Sequence, residues 1–230
     1  MIKKKIFIAC DTANSKKLKQ IINQSQTKKL RISYKIGLEF FLSPKGRNFI
    51  SKLNKKEIFL DLKLNDIPNT CVAAIYSLRD LKNLSYLTVH TQGGLEMLKS
   101  VKNASKKINN KLKILGVTVL TSFSNSSIKK IGHTKSIKDL VKKQASLAKL
   151  AKLDGIVCSG HEVKYLKNIC KNMEIITPGI RLSGDNKADQ ERVVTPKQAF
   201  QNGATSIVMG RSLTKGNIKK NIQKLIKSLN

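Results

Sequence analysis

Eight times along this chain a short apolar run gives way to a polar or glycine break and then to a helical segment. That regular alternation is what most restricts the folds open to it. The runs are Ile6–Cys10, Arg31–Ile36, Ile58–Lys63, Tyr86–Val89, Leu112–Leu120, Gly155–Cys158, Glu174–Thr177 and Thr205–Met209. Helix signals fall between them. Asn14-Ser15 caps a segment through Ile22, Pro44 opens one reaching Leu53, and Pro68 opens one reaching about Leu81. Further helices are expected after Gly93-Gly94 to about Val101, over Ile137–Ala151, Glu162–Ile169 and Pro196–Gln201, and over Ile218–Leu229. The polar stretch Ser124–Ser127 reads as loop. Eight strand–helix units in 230 residues predict an α/β fold, a single-domain (β/α)8 TIM barrel spanning residues 1–230. A doubly wound sheet is the runner-up, disfavoured because no G-x-G-x-x-G follows any of the runs.

A barrel of this kind places its chemistry at the C-terminal ends of the strands. The polar residues there are Asp11, Lys35, Asp61, Lys63, His90, Thr121, Ser122, Ser159, Arg181 and Arg211. Asp61 and Lys63 are two apart, so a regular strand presents both on one face. Charges on an apolar strand are costly unless paired, and Asp66 follows to give Asp-x-Lys-x-x-Asp. One reading of the triplet is an ion pair that plugs a strand end. The other is an ammonium held among carboxylates as a proton donor. Asp11 and Lys35 come from the two preceding strands, so an alternating-charge array can form. Gly210-Arg211 fits the phosphate site that barrels build after their last strands, with Arg181 as a second cation. The polar segment Leu182–Gln190, containing Gly184, has the composition of a lid. Taken alone, these residues point to a cofactor-free lyase or isomerase acting on a phosphorylated small molecule.

Composition narrows the partners. The net charge of +31 would suit a nucleic-acid binder, but the lysines are spread along the whole chain and form no tail or stripe. The charge therefore reads as a solvated surface. Cys10, Cys71, Cys158 and Cys170 have neither C-x-x-C spacing nor a nearby histidine, so they are expected to be reduced core residues. Only Ile6–Cys10 is apolar near the start, too short for a signal peptide, and no run approaches a membrane span. A cytoplasmic protein is expected.

The chain resembles the orotidine 5'-phosphate decarboxylases over essentially its whole length. The resemblance is carried by Ile8-Ala9-Cys10-Asp11, by Asp61-Leu62-Lys63-Leu64-Asn65-Asp66-Ile67-Pro68-Asn69-Thr70, and by Val117-Thr118-Val119-Leu120-Thr121-Ser122. Thr177-Pro178-Gly179-Ile180-Arg181, Asp189-Gln190 and Met209-Gly210-Arg211 complete it. Leu64-Asn65 stand where Phe-His is common, and no charged member of the array is lost. The resemblance implies conversion of orotidine 5'-phosphate to uridine 5'-monophosphate and carbon dioxide, without metal or organic cofactor. It implies Lys63 as proton donor, Asp61 beside the substrate carboxylate, and Asp11 with Lys35 on the ribose hydroxyls. Thr121 and Ser122 would face the pyrimidine, and Arg181, Gln190, Gly210 and Arg211 would hold the phosphate. It further implies a homodimer in which Asp66 and Thr70 reach into the partner's site. Two alternatives stand beside it: a magnesium-dependent sugar-phosphate decarboxylase or aldolase of the same barrel group, and a non-catalytic, basic nucleic-acid-binding barrel.

Overall fold

Eight parallel strands hydrogen-bond in chain order, and the last returns to the first to close the barrel. The computed structural model describes residues 3–53, 56–185 and 193–229. The strands are β1 (Lys5–Ala9), β2 (Arg31–Gly37), β3 (Ile58–Leu64), β4 (Leu84–His90), β5 (Lys113–Val117), β6 (Gly155–Val157), β7 (Glu174–Thr177) and β8 (Ser206–Met209). The helices are α1 (Ser15–Gln24), α2 (Leu38–Phe41), α3 (Gly46–Ser51), α4 (Pro68–Ser77), α5 (Gly94–Ile108), α6 (Asn125–Lys130), α7 (Ile137–Leu150), α8 (Val163–Leu166), α9 (Pro196–Asn202), α10 (Arg211–Thr214) and α11 (Ile218–Leu229). The expected barrel is thus the fold observed.

Side-chain alternation sorts the core into two bodies. Residues such as Ile6, Ile8, Ile58, Leu60, Leu87 and Ile207 belong to the large apolar cluster shared with the helices. Their neighbours in sequence, Phe7, Ala9, Phe59, Tyr86, Leu115, Ile176 and Val208, form a second cluster inside the barrel. Phe7 meets both Phe59 and Tyr86 edge-on, with ring centroids 5.1 Å apart in each case. Because β1, β3 and β4 are not all neighbours, those rings join across the barrel and fill it. The ring layer is the floor beneath the C-terminal mouth.

Local chemistry explains the helix starts. The Asn14 carboxamide oxygen accepts the Lys16 and Lys17 N–H groups. Thr195 and Gln198 cap α9 reciprocally, Pro196 stands in its first turn, and Gly203 ends it in the left-handed region. Four expectations need correction. The helix expected from Pro44 to Leu53 is the shorter α3, Gly46–Ser51, with Pro44 in the turn that joins it to α2. Phe40 is buried and its carbonyl accepts the Ser43 hydroxyl at 2.7 Å, while a Cβ on Gly46 would lie 1.8 Å from that carbonyl oxygen. The chain turns tightly there, so the helix starts at Gly46 and not at Pro44. Strand five stops at Val117 because its neighbour β6 ends at Val157, whose carbonyl takes both the main-chain and side-chain donors of Thr118. The Ser124–Ser127 stretch caps α6: each serine hydroxyl accepts the other's N–H, at 3.2 and 2.8 Å. The expected helix over Glu162–Ile169 is the single turn α8.

Removing the central ring should cost the barrel heavily. Phe7→Ala is expected to lower unfolding free energy by about 3–5 kcal/mol, read from urea unfolding, because the site is closed on all sides and cannot collapse onto the void. A loss below about 1 kcal/mol would mean that the ring layer is not what fills the barrel.

Candidate active site

Three consecutive strands deliver a line of alternating charge to the C-terminal mouth. Lys63 Nζ lies 2.9 Å from Asp61 Oδ2, Lys35 Nζ lies 3.1 Å from the same oxygen, and Lys35 also reaches Asp11 Oδ1 at 3.5 Å. Lys35 and Asp61 are largely buried, Lys63 is one-third exposed and Asp11 mostly exposed. Burial pushes the Asp61 carboxyl up, but Lys35 and Lys63, with hydrogen bonds from Lys63 and Thr88, outweigh it and hold the group below the ordinary carboxylate range. Burial likewise works against the Lys35 ammonium, yet Asp61 and Asp11 leave it held above the usual lysine value. Both shifts favour the charged forms of the buried Lys35–Asp61 pair.

Lys63 does not reach this position by plain strand alternation. Leu60 pairs with Leu87 and Leu64 with Val89, so β3 runs through four residues while β4 runs through two. The extra length forms a bulge, and Lys63 sits in it with φ of 51°, in the left-handed region that a lysine rarely enters. Its N–H donates to Thr88 Oγ1 at 2.9 Å, and that hydroxyl donates to Asp61 Oδ1 at 2.9 Å.

The array forms one wall of a cavity of about 360 Å³. Thr121 and Ser122 line it from beyond β5, Arg181 from beyond β7, and Gly210 with Arg211 from the β8–α10 junction. Ala9, Phe59, Val157 and Val208 give it an apolar floor. Anionic and cationic groups thus face an apolar-bottomed chamber large enough for a small polar molecule. An anion could be held at the arginines while the Lys63 ammonium addresses its other end.

Asp66 and Thr70 do not join this chamber. Both are exposed, and Asp66 Oδ1 accepts the Ile67 N–H at 2.7 Å. Gln190 lies outside the described residues, as do 186–189 of the expected lid. In the part of that segment that is described, the Leu182 carbonyl accepts the Asp185 N–H in a tight turn. His90, expected to be a satisfied strand-end residue, faces a separate cavity of about 120 Å³ with His133, and its Nδ1 is buried without a hydrogen-bond partner. His161 Nε2 lies 3.2 Å from the Val193 carbonyl. Buried Thr88 was not among the candidates drawn from the sequence. The available signal was its place two residues before His90 on β4, on the face that also carries Tyr86. Among the described residues no group of three or more His, Cys, Asp or Glu side chains is arranged to hold a metal ion, and no helix is long and apolar enough to cross a membrane.

Comparison with known proteins gives concordant matches. A family model described as Orotidine 5'-phosphate decarboxylase / HUMPS family matches residues 4–224. The chain is 42% identical over 220 residues to the orotidine 5'-phosphate decarboxylase of Prochlorococcus marinus strain MIT 9312, covering 92% of this chain and 89% of that one. It is 41% identical over 225 residues to that of Wolbachia sp. subsp. Brugia malayi, covering 96% of each. The crystal structure of orotidine 5'-phosphate decarboxylase from Lactobacillus acidophilus superposes with a TM-score of 0.83 at 32% identity, covering 99% of this chain and 100% of that one.

The depressed carboxyl of Asp61 has a signed consequence for stability. Its ionised form adds stability in full above the unfolded-state value near pH 4, and that contribution is lost as pH falls through the lower folded-state value. Asp61→Asn is therefore expected to melt earlier than wild type at neutral pH, with the gap narrowing below about pH 4. A gap that stays constant down to acid unfolding would show that the carboxylate adds no net stability.

Proposed function

The chain belongs to the orotidine 5'-phosphate decarboxylase / HUMPS family, and on that premise we propose that it converts orotidine 5'-phosphate to uridine 5'-monophosphate and carbon dioxide, the last step of de novo pyrimidine synthesis. The observation that carries the reading is the run Lys63–Asp61–Lys35–Asp11 along one wall of a chamber with Arg181 and Arg211 on another. In this reading the phosphate is held by Arg181, Arg211, the Gly210 backbone and Gln190. Asp11 and Lys35 hold the ribose hydroxyls, and Thr121 with Ser122 faces the pyrimidine.

The chemistry then runs as follows. The bond between carbon 6 and the carboxylate breaks, carbon dioxide leaves, and the electron pair remains on carbon 6. The Lys63 ammonium gives that carbon its proton, becomes a neutral amine, and regains a proton from water. A carbanion with no conjugating group is stabilised by a cation fixed beside it before reaction, and Asp61 fixes that cation. Asp61 also crowds the substrate carboxylate with like charge, which disfavours the bound substrate relative to the transition state. Phosphate contacts far from carbon 6 supply binding energy that can be used to close the site. No metal or organic cofactor takes part.

The same reading makes the protein a homodimer with shared sites. Asp66 and Thr70 stand outside their own chain's chamber, where they can enter a partner's. Ile67 between them is 66% exposed, and Leu38 and Leu42 are exposed beyond β2, an apolar surface of the kind that association would cover.

Loss of orotidine absorbance is the direct assay. Wild type is expected to consume orotidine 5'-phosphate with EDTA present, and Lys63→Ala to be slower by at least about 10²-fold, the low end for a positioned proton donor. Inactivity on orotidine 5'-phosphate, with turnover of a sugar phosphate when magnesium is added, would replace the reading. Shared sites have their own test. Mixing Lys63→Ala with Asp66→Ala, each nearly inactive alone, should restore roughly a quarter of wild-type activity, because random pairing leaves one intact site in each mixed dimer. No recovery after subunit exchange would refute the sharing.

A further inference from the structure

We infer that Thr88 is the positioning residue that fixes the Lys63 ammonium, an assignment that rests on reading Lys63 as the proton donor. Thr88 has no exposed surface and does not line the chamber, so it acts through other groups and not on a substrate. Its hydroxyl stands between two parts of the array: it accepts the Lys63 N–H at 2.9 Å and donates to Asp61 Oδ1 at 2.9 Å. A hydroxyl has one proton. With the Lys63 N–H directed at its lone pair and a carboxylate oxygen beside it, that proton has one place to go.

Each bond replaces something the bulge takes away. In a regular parallel ladder the N–H of a strand residue finds a neighbouring carbonyl. Between Leu60 and Leu64 that pairing with β4 is broken, and the Thr88 side chain accepts the Lys63 N–H in its place. Lys63 is in the left-handed region, and such a conformation persists in a lysine only where the surroundings hold it. The Thr88 hydroxyl is one of those holds.

The second bond governs Asp61. The last torsion of an aspartate is soft, because it joins an sp³ to an sp² carbon. Thr88 occupies Oδ1, leaving Oδ2 to receive Lys35 at 3.1 Å and Lys63 at 2.9 Å. Without the hydroxyl the carboxylate is free to turn, the two ammoniums can divide between its oxygens, and Lys63 Nζ loses its fixed place. One side chain thus restrains both the backbone that carries the amine and the carboxylate that anchors it. Small displacements of a reacting group are costly, which is why an outer residue can control turnover.

The test compares Thr88→Val, which keeps the shape and loses both bonds, with Thr88→Ser, which keeps both bonds and loses a methyl. Thr88→Val is expected to lower kcat by roughly 10²-fold, with KM changed by less than about threefold because the arginines that hold the phosphate are untouched. Thr88→Ser is expected to keep most of the wild-type kcat even where its melting temperature falls. An unchanged kcat in Thr88→Val, a loss confined to KM, or an equal loss in Thr88→Ser would each overturn the assignment. If Thr88→Val does not fold, Thr88→Cys, with only a weak donor, is read by the same criteria. Crystal structures of wild type and variant separate this inference from the reaction assigned above. Should wild type leave orotidine 5'-phosphate untouched, that reaction falls. The positioning role still stands if Lys63 leaves the left-handed region or parts from Asp61 in the variant, and fails if both are unchanged.

Discussion

A single carboxylate oxygen, Asp61 Oδ2, receives two ammonium groups. Without it Lys35 and Lys63 would repel each other across the mouth of the barrel, and neither could stay close to an apolar floor. With it the two cations share one anion, and the excess positive charge is offset from the far side by Asp11. The bulge in β3, the hydroxyl of Thr88 and the left-handed backbone at Lys63 all serve to keep that oxygen and that amine together. The chain carries 14 carboxylates against 45 lysines and arginines, and two of the fourteen stand in this one array.

The barrel interior is layered between charge and charge. At the opposite mouth Lys5 donates to Glu57 at 2.7 Å and to the Tyr86 hydroxyl at 2.7 Å, while Lys113 pairs with Glu174. Burial lowers the Lys5 ammonium and outweighs Glu57, which opposes it. The Lys5 ammonium also lies 4.2 Å from the centre of the Tyr86 ring. That network lines a cavity of about 550 Å³ at the lower end, whereas the upper one opens into the chamber. Between them the aromatic layer keeps the two sets of charges apart and gives the upper set its low-dielectric floor. Ion pairs at the bottom of such a barrel serve the fold, and those at the top serve chemistry.

Most of the barrel was legible because period and punctuation agree at each strand. Ile6–Cys10 and Glu174–Thr177 are apolar runs with a definite stop, and the charged residues at strand ends followed from that placement. Where the reading failed, a tertiary contact overrode a local signal. Pro44 marks a helix start in isolation, but it falls in the tight turn where Gly46 packs against the Phe40 carbonyl, and α3 begins only at Gly46. Ser124–Ser127 looks like loop because its caps are serine on both sides and carry no acidic residue. Thr88 is a common strand residue, and only the bulge opposite it turns its hydroxyl into a partner for Lys63. Asp66 lies close to Lys63 in sequence yet turns onto its own loop, since the chain leaves β3 before it.

The left-handed lysine in β3 also says how such a protein would respond to improvement for robustness alone. At position 63 glycine would relax the backbone, and an uncharged side chain would relieve the crowding of cations. A library screened only for heat resistance would therefore tend to discard the amine first and keep a well-folded, inert barrel. Position 63 is where thermal selection and catalytic selection pull in opposite directions, so any campaign to harden this scaffold has to hold that residue fixed from the outset.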